Sequence, residues 1–387
     1  MIGFDLTEEQ QRMQEMAHEF AEKEMRPVAA HYDETEEFPW PVMRKANDVG
    51  LLTYALPEEY GGAGVVSQVT NCLVQEELFW GCAGIATSMG AIMLGALPIL
   101  ISGTEEQKKK YLGMLTESRP DGNPRLGAFA LTEPDAGSDA ASLKTSAKKV
   151  KGGFVLNGTK HFITNGGIAD VYTVFATHDP SQGADGIDCF IVEGAWEGVK
   201  PGKKEKKMGI RASHTAQVHF EDVFVPEENM LGAESEGFFV AMQVLDKSRP
   251  MVATGAVGIA RAAFEAALAY SLERKQFGRA IAKQQAIGFM LADMATKIDA
   301  ARLLCHRSAW LLDQDLPSMK ESSMAKSFAP DVAMEVTTDA VQIFGGVGYT
   351  REYPVEKWMR DAKIMQIFEG TTQIQKLVIS RSLIGFG

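Results

Sequence analysis

Residues 126–139 read LGAFALTEPDAGSD, a short β-favouring run that ends in a turn containing Pro134, Gly137 and Ser138. Similar runs follow at FVLNGTKHFITN (154–165), VYTVFAT (171–177), IDCFIVE (187–193) and QVHFEDVFV (217–225), each bounded by turn residues. They stand too close together for helices to fit between them. The spacing therefore predicts an antiparallel sandwich or barrel rather than a doubly wound parallel sheet.

On both sides of this zone the period becomes helical. TEEQ at 7–10 forms a capping box ahead of a helix that buries Met13, Met16, Ala17 and Phe20 on one face, and Thr104–Gln107 repeats the device. ESRPDGNPRLG (117–127) is polar and rich in Pro and Gly, which marks a boundary. After Gly237, Ala-, Leu- and Met-rich stretches at 238–273 and 282–314 predict a helical bundle. The expected class is α+β, with a helical domain over 1–125, a β domain over 126–232 and a helical bundle over 233–387.

Composition narrows the function. The chain is 45% hydrophobic and 23% charged, enough for a large core, and its net charge of -12 argues against a nucleic-acid or anionic-membrane partner. Cys72, Cys82, Cys189 and Cys305 are widely separated, which disfavours a disulfide framework or a Cys-rich zinc site and fits a reducing compartment. MIGFDLTEEQQRMQEM has no basic n-region followed by an apolar stretch, so a cytoplasmic location is expected; a processed mitochondrial matrix protein would look the same. No apolar run reads as long enough to span a bilayer. GIATSMGAIMLGALPILI (84–101) comes closest and suits a buried helix, so no membrane insertion is expected.

Several kinds of chemistry lack their residues. GGAGVV (61–66) and GGVGYT (345–350) lack the third glycine of a dinucleotide turn, and there is no P-loop, H-E-x-x-H or G-x-S-x-G sequence. His214 and His219, five residues apart on a predicted strand, would face opposite sides, and no metal is expected. The basic run 203–207 reads as a solvated hairpin.

Six segments are dense in Gly, Thr, Ser and charge where the periodicity breaks: FALTEPDAGSD (129–139), KHFITNGG (160–167), LDKSRP (245–250), ERKQFG (273–278), QIFGGVGY (342–349) and FEGTTQIQ (368–375). Singly, the first two read as a turn and a strand end. In the last, Glu369 precedes Gly370, two threonines and a helix start, so backbone N–H groups and hydroxyls surround one carboxylate among apolar neighbours, which on this segment alone reads as a helix cap or as a chemically placed group.

Taken in order, and together with LNGTKHFITNGG, KKMGIRAS and VHFEDVFVPEENMLG, these segments resemble the acyl-CoA dehydrogenase family of flavoproteins from the first helix to the last few residues. The resemblance implies a helical amino-terminal domain, a β domain and a carboxy-terminal four-helix bundle. It also implies FAD as cofactor, acyl-CoA as substrate, electron-transfer flavoprotein as electron acceptor, and a homo-oligomer, a tetramer in the family.

By the same resemblance Glu369 is the catalytic base. Phe129, Leu131, Thr132, Gly137 and Ser138 at one strand end, and Phe162, Ile163 and Thr164 at another, hold the flavin, with Ser138 also touching acyl-CoA. Arg274, Gln276, Phe277, Gln284 and Gln285 reach the FAD of a neighbouring subunit, as do Gln342, Ile343, Gly345 and Gly346, while Thr371 and Gln373 return to the first subunit's FAD. Asp246, Arg249, Phe368 and Gly370 are expected at the substrate. Gly90 lies at the far end of the acyl chamber, where it either leaves room for acyl carbons or allows close helix contact.

These residue types suit the implied reaction. Oxidising a saturated acyl thioester needs a base for the α-proton, the role of Glu369, and a hydride acceptor at the β-carbon, the role of the flavin. An enoyl-CoA reductase running in reverse or an acyl-CoA oxidase would use the same groups, whereas an acyl-CoA-binding protein without activity would be expected to lack the base. This chain has Phe162 where many relatives carry Trp, Phe368 where many carry Tyr, and His214 in place of an acidic residue. Ser248 and its neighbours offer no second Glu, so Glu369 is expected to act alone.

Overall fold

The computed structural model describes residues 4–385; Met1–Gly3, part of the stretch read for a leader, and the last two residues lie outside it. Both capping boxes form. The Thr7 hydroxyl accepts Gln10 N–H at 3.2 Å and starts α1 (Glu8–Phe20), and the same pairing of Thr104 and Gln107 starts α5 (Glu105–Thr116). Between them lie α2 (Ala29–Thr35), α3 (Trp40–Asp48) and the long α4 (Gln68–Ser102), which breaks at Cys82, where the backbone is extended.

Eight strands form one sheet: β1 (Gly127–Ala130), β2 (Ser146–Val150), β3 (Gly153–Thr164), β4 (Val171–Thr177), β5 (Ile187–Glu193), β6 (Val199–Lys204), β7 (Thr215–Pro226) and β8 (Met230–Leu231). The order is β6-β7-β3-β2-β4-β5-β8, with β1 beside β4. Pairing is mostly antiparallel, as the short spacing predicts. β1 and β2 nevertheless meet β4 in parallel: a long connection follows β1, whereas β2 turns tightly at 151–152 into β3, through which the chain returns to β4.

The carboxy-terminal helices are α6 (Gly237–Glu273), α7 (Gln285–Asp313), α8 (Met319–Phe344), α9 (Val355–Met365) and α10 (Thr372–Ile384), with a small hairpin of β9 (Lys275–Gln276) and β10 (Arg279–Ala280) after α6. α6, α7 and α8 pack on one another and α10 lies on α8, while α4 packs on α6 and α7. The bundle thus shares its core with the amino-terminal helices.

Two helices correct the expectation that no run is long enough to span a bilayer. α4 and α6 are each long and apolar enough to cross a membrane by length and composition. The scattered Gly, Ala and Ser residues conceal this in the sequence, because they interrupt the large apolar residues without breaking the helix. In both, 61% of the most apolar window is buried within the protein, as in the core helices of a water-soluble fold.

The basic run 203–207 is also less solvated than expected. Lys204 donates to the Glu36 carbonyl, and Lys207 to that of Ser213 at 2.8 Å, with burial lowering the Lys207 pKa to about 8.

Candidate active site

Glu369 lies in the loop joining α9 to α10, at a left-handed backbone position (φ 51°) followed by Gly370 at φ 89°. A non-glycine residue held there is uncommon, and the surrounding bonds hold it. Gln375, wholly buried, donates to the carbonyls of Glu369 and Gly370 at 3.3 and 3.2 Å, and Thr371 caps α10 by accepting Ile374 N–H. The cap is therefore Thr371, which leaves the Glu369 carboxylate free for another role.

That carboxylate turns toward α6, where the Ser248 hydroxyl donates to its Oε2 at 2.7 Å. Burial pushes the carboxyl pKa above its ordinary value; the Ser248 bond and the positive charges of Lys326 and Arg249 pull it part of the way back. One turn of α6 supplies the adjoining polar groups. Arg249, buried, pairs with Asp246 and reaches Ser323 Oγ at 3.4 Å, while its Nε has no partner among the described residues. Burial raises the Asp246 pKa and lowers that of Arg249.

The two strand ends lie side by side. His161 N–H donates to the Thr132 carbonyl at 2.8 Å, and the buried Lys160 bonds the Leu131 carbonyl and the Glu133 carboxylate at 3.0 and 2.7 Å. A β-bulge sets β3 out of step with β7 between Lys160 and Ile163. It carries Phe162 to φ 57°, 60% exposed and stacked on His161 at 3.8 Å, while Ile163 turns into the core. Bulges commonly re-aim a side chain in this way. Leu131 is buried, Phe129 packs on Phe175 at 5.0 Å, Thr132 and Thr164 are half-buried, and Gly137 and Ser138 are exposed.

A buried polar chain joins these strand ends to the loop of Glu369. Asn165 donates to the Ser88 carbonyl of α4 at 3.1 Å, and Ser88 Oγ meets Ser213 Oγ at 3.3 Å. In the same 208–214 loop, Ile210 N–H donates to Asp361 of α9 at 2.5 Å, and α9 leads directly into the loop that carries Glu369.

Other expected cofactor residues cluster elsewhere. At about 1.5 Å per residue, α6 carries Arg274 roughly 39 Å from Ser248, and α8 carries Gly345 roughly 28 Å from Lys326, which bonds the loop of Glu369. Those far ends meet, since Tyr270 stacks on Phe344 at 4.2 Å. Arg274, Gln276, Gln285, Gln342, Gly345 and Gly346 lie there at least partly exposed, Gln284 stands half-buried at the start of α7, and Ile343 is buried. Phe277 is 94% exposed at the hairpin tip, with φ 54° before Gly278 at 78°, a turn that ordinarily takes Asn-Gly. Gln373 is exposed at the start of α10, near Thr371, and Phe368 is half-buried.

The strand ends suit a planar aromatic group, and the distant cluster offers a separate stretch of open backbone beside Arg274. Phe162 offers an uncovered ring, and a Cβ added at Gly137, Gly345 or Gly346 would meet no atom within 4 Å, so the backbone there lies open to a close ligand. At Gly90 a Cβ would also meet nothing within 4 Å, whereas at Gly84 and Gly95 of the same helix it would press on Ala212 and Ala128. Gly84 and Gly95 are packing glycines; Gly90 faces space.

Comparison with known proteins agrees along the whole chain. Family profiles for the acyl-CoA dehydrogenase N-terminal, middle and C-terminal domains match residues 7–119, 128–223 and 235–384. The short-chain-specific acyl-CoA dehydrogenase of Clostridium acetobutylicum is 46% identical, over 98% of this chain and 99% of its own. Butyryl-CoA dehydrogenase of Megasphaera elsdenii superposes with a TM-score of 0.95 at 45% identity, over 99% of this chain and 100% of its own. A chain in a structure described as the electron transferring flavoprotein of Acidaminococcus fermentans, concerned with flavin-based electron bifurcation, gives 0.95 at 48% identity and the same coverage. The chain belongs to the acyl-CoA dehydrogenase family.

Proposed function

We propose that the protein oxidises an acyl-CoA thioester to the enoyl-CoA, with Glu369 as the base and FAD bound between the two strand ends. The observation that carries this is the setting of Glu369: one carboxylate on a left-handed loop position, bonded through Oε2 to Ser248 and biased by burial toward its protonated form. The Ser248 bond leaves Oε1 to take the α-proton. Burial then favours the neutral carboxyl that results. The Glu369 N–H, with no backbone acceptor among the described residues, can bond the thioester oxygen as negative charge develops on it. FAD, held by Phe129–Ser138, Phe162–Thr164, Thr371 and Gln373, supplies the hydride acceptor for the β-carbon when bound.

The open space at Gly90 favours the chamber reading of that residue over close helix contact, so acyl carbons extend past α4. The likeness to the Acidaminococcus chain supports an electron-transfer flavoprotein as partner. The Arg274 and Gly345 segments lie too far along α6 and α8 to serve a flavin beside Glu369, which supports a neighbouring subunit's FAD as their ligand. Apolar residues left exposed near these segments, Leu272 at the end of α6 and Phe289 at the start of α7, support assembly of copies through this face.

Anaerobic titration with a panel of acyl-CoA thioesters tests the activity. Loss of the oxidised-flavin absorbance with at least one straight-chain thioester is expected. A flavin that stays oxidised with every thioester that binds would contradict it.

A further inference from the structure

Among the described residues three lysines are buried, and two have carboxylate partners: Lys160 pairs with Glu133 and Lys357 with Asp361. A buried ammonium normally requires such a partner. Lys326 of α8, with 0% exposure, instead donates to two carbonyls, that of Met365 at 2.7 Å and that of Gly370 at 3.3 Å. The first ends α9 and the second lies just ahead of α10, so one side chain grips both ends of the loop that carries Glu369. Its nitrogen lies 5.9 Å from the centre of the Phe368 ring, on the residue before Glu369.

We infer that Lys326 is a positioning residue for the base, holding the 366–370 loop by its two carbonyls and placing beneath Glu369 a positive charge that keeps the carboxylate ionised until substrate arrives. This rests on Glu369 being the base. The carbonyl of Met365 is one of the unpaired acceptors at a helix carboxyl end, where a cation is favoured. The charge has the opposite sign to that of the base, and its hydrogen bonds among the described residues go to carbonyls alone. The other ionisable groups acting on the pair are Arg249 of α6, itself paired with Asp246, and Asp331 of α8, which accepts from Gln366 at 2.6 Å. Burial lowers the Lys326 pKa to about 8 and raises that of Glu369, and each charge draws the other back toward its ionised form.

The test compares Lys326→Met, Lys326→Gln and Lys326→Arg, each loaded with FAD, by the pH dependence of kcat, alongside Glu369→Gln. Both neutral variants should move the acid limb of the profile up by about one pH unit or more, the usual effect of losing an opposite charge near a carboxylate. Activity should fall on the acid side of the profile and recover toward alkaline pH. Lys326→Arg, which keeps the charge, should keep the acid limb in place, with FAD content and oligomer size unchanged.

An acid limb at its wild-type position in either neutral variant overturns the proposal. So does failure of both neutral variants to fold while Lys326→Arg folds normally, because that pattern marks a purely structural lysine. Full activity in Glu369→Gln would instead overturn the assignment of the base, whatever the lysine variants do.

Discussion

Ser248 Oγ donates to Glu369 Oε2 at 2.7 Å, joining a buried turn of α6 to the loop between α9 and α10 across 121 residues of sequence. The bond fixes one carboxylate oxygen and opposes the rise in pKa that burial imposes. Ser248→Ala should therefore raise the base's pKa further and free the carboxylate to rotate. A hydrogen bond to a charged group is worth about 1.5–3 kcal/mol, so kcat should fall roughly 10- to 100-fold near pH 7, with part of the loss recovered above pH 8. A pH–rate profile checks this; a uniform loss at every pH would count against an effect through ionisation.

Gly90→Leu should fill the space beside α4 and shorten the preferred acyl chain while sparing the smallest substrate oxidised. The measurement is kcat/KM across thioesters of increasing length. Equal losses at every length would indicate a packing defect, which the open space around this position, with no atom within 4 Å of where a Cβ would stand, argues against.

Arg274→Ala should lower FAD retention and loosen the oligomer together, since a ligand shared between subunits links binding to assembly by mass action. Flavin content and sedimentation, measured at several protein concentrations, read both effects. A stable monomer carrying full FAD would remove the shared-site account.

Much of the fold is legible in the chain itself. Capping boxes at Thr7 and Thr104 are local devices with local signatures, and five β-rich runs without room for helices describe a sheet whatever its order. The parallel pairings of β1 and β2 with β4 join strands separated by other strands or a long loop, and such pairing leaves no periodic signal. At the site, Glu369 stands out because a carboxylate before Gly-Thr-Thr is locally odd. Ser248 enters the sequence reading only as a neighbour of an alternative place for a base. Lys326 escapes it altogether, although it shares the buried face of α8 with Ala329 and Ala333 and so falls on the apolar period, where a lysine is out of place. Contacts across more than 40 residues, such as Lys326 to Gly370, leave no trace in spacing.

Glu369→Gln should also change stability in a pH-dependent way. A carboxyl whose folded pKa lies above its unfolded value favours folding while it is protonated, and that contribution is lost as pH rises through the folded pKa. The amide does not ionise, so above that pKa the variant should unfold at a temperature equal to or higher than wild type. Thermal unfolding at pH 5 and pH 8 checks the sign; a variant less stable than wild type only at pH 8 would contradict it.

The central claim, that Glu369 removes the α-proton, is tested most directly by anaerobic rapid mixing of FAD-loaded wild type and Glu369→Gln with a thioester that reduces the wild-type flavin. The account predicts that the variant keeps its yellow flavin and binds the thioester but is reduced on the order of 10²–10⁴-fold more slowly, the usual contribution of a positioned base. Flavin reduction within a few-fold of the wild-type rate would contradict it.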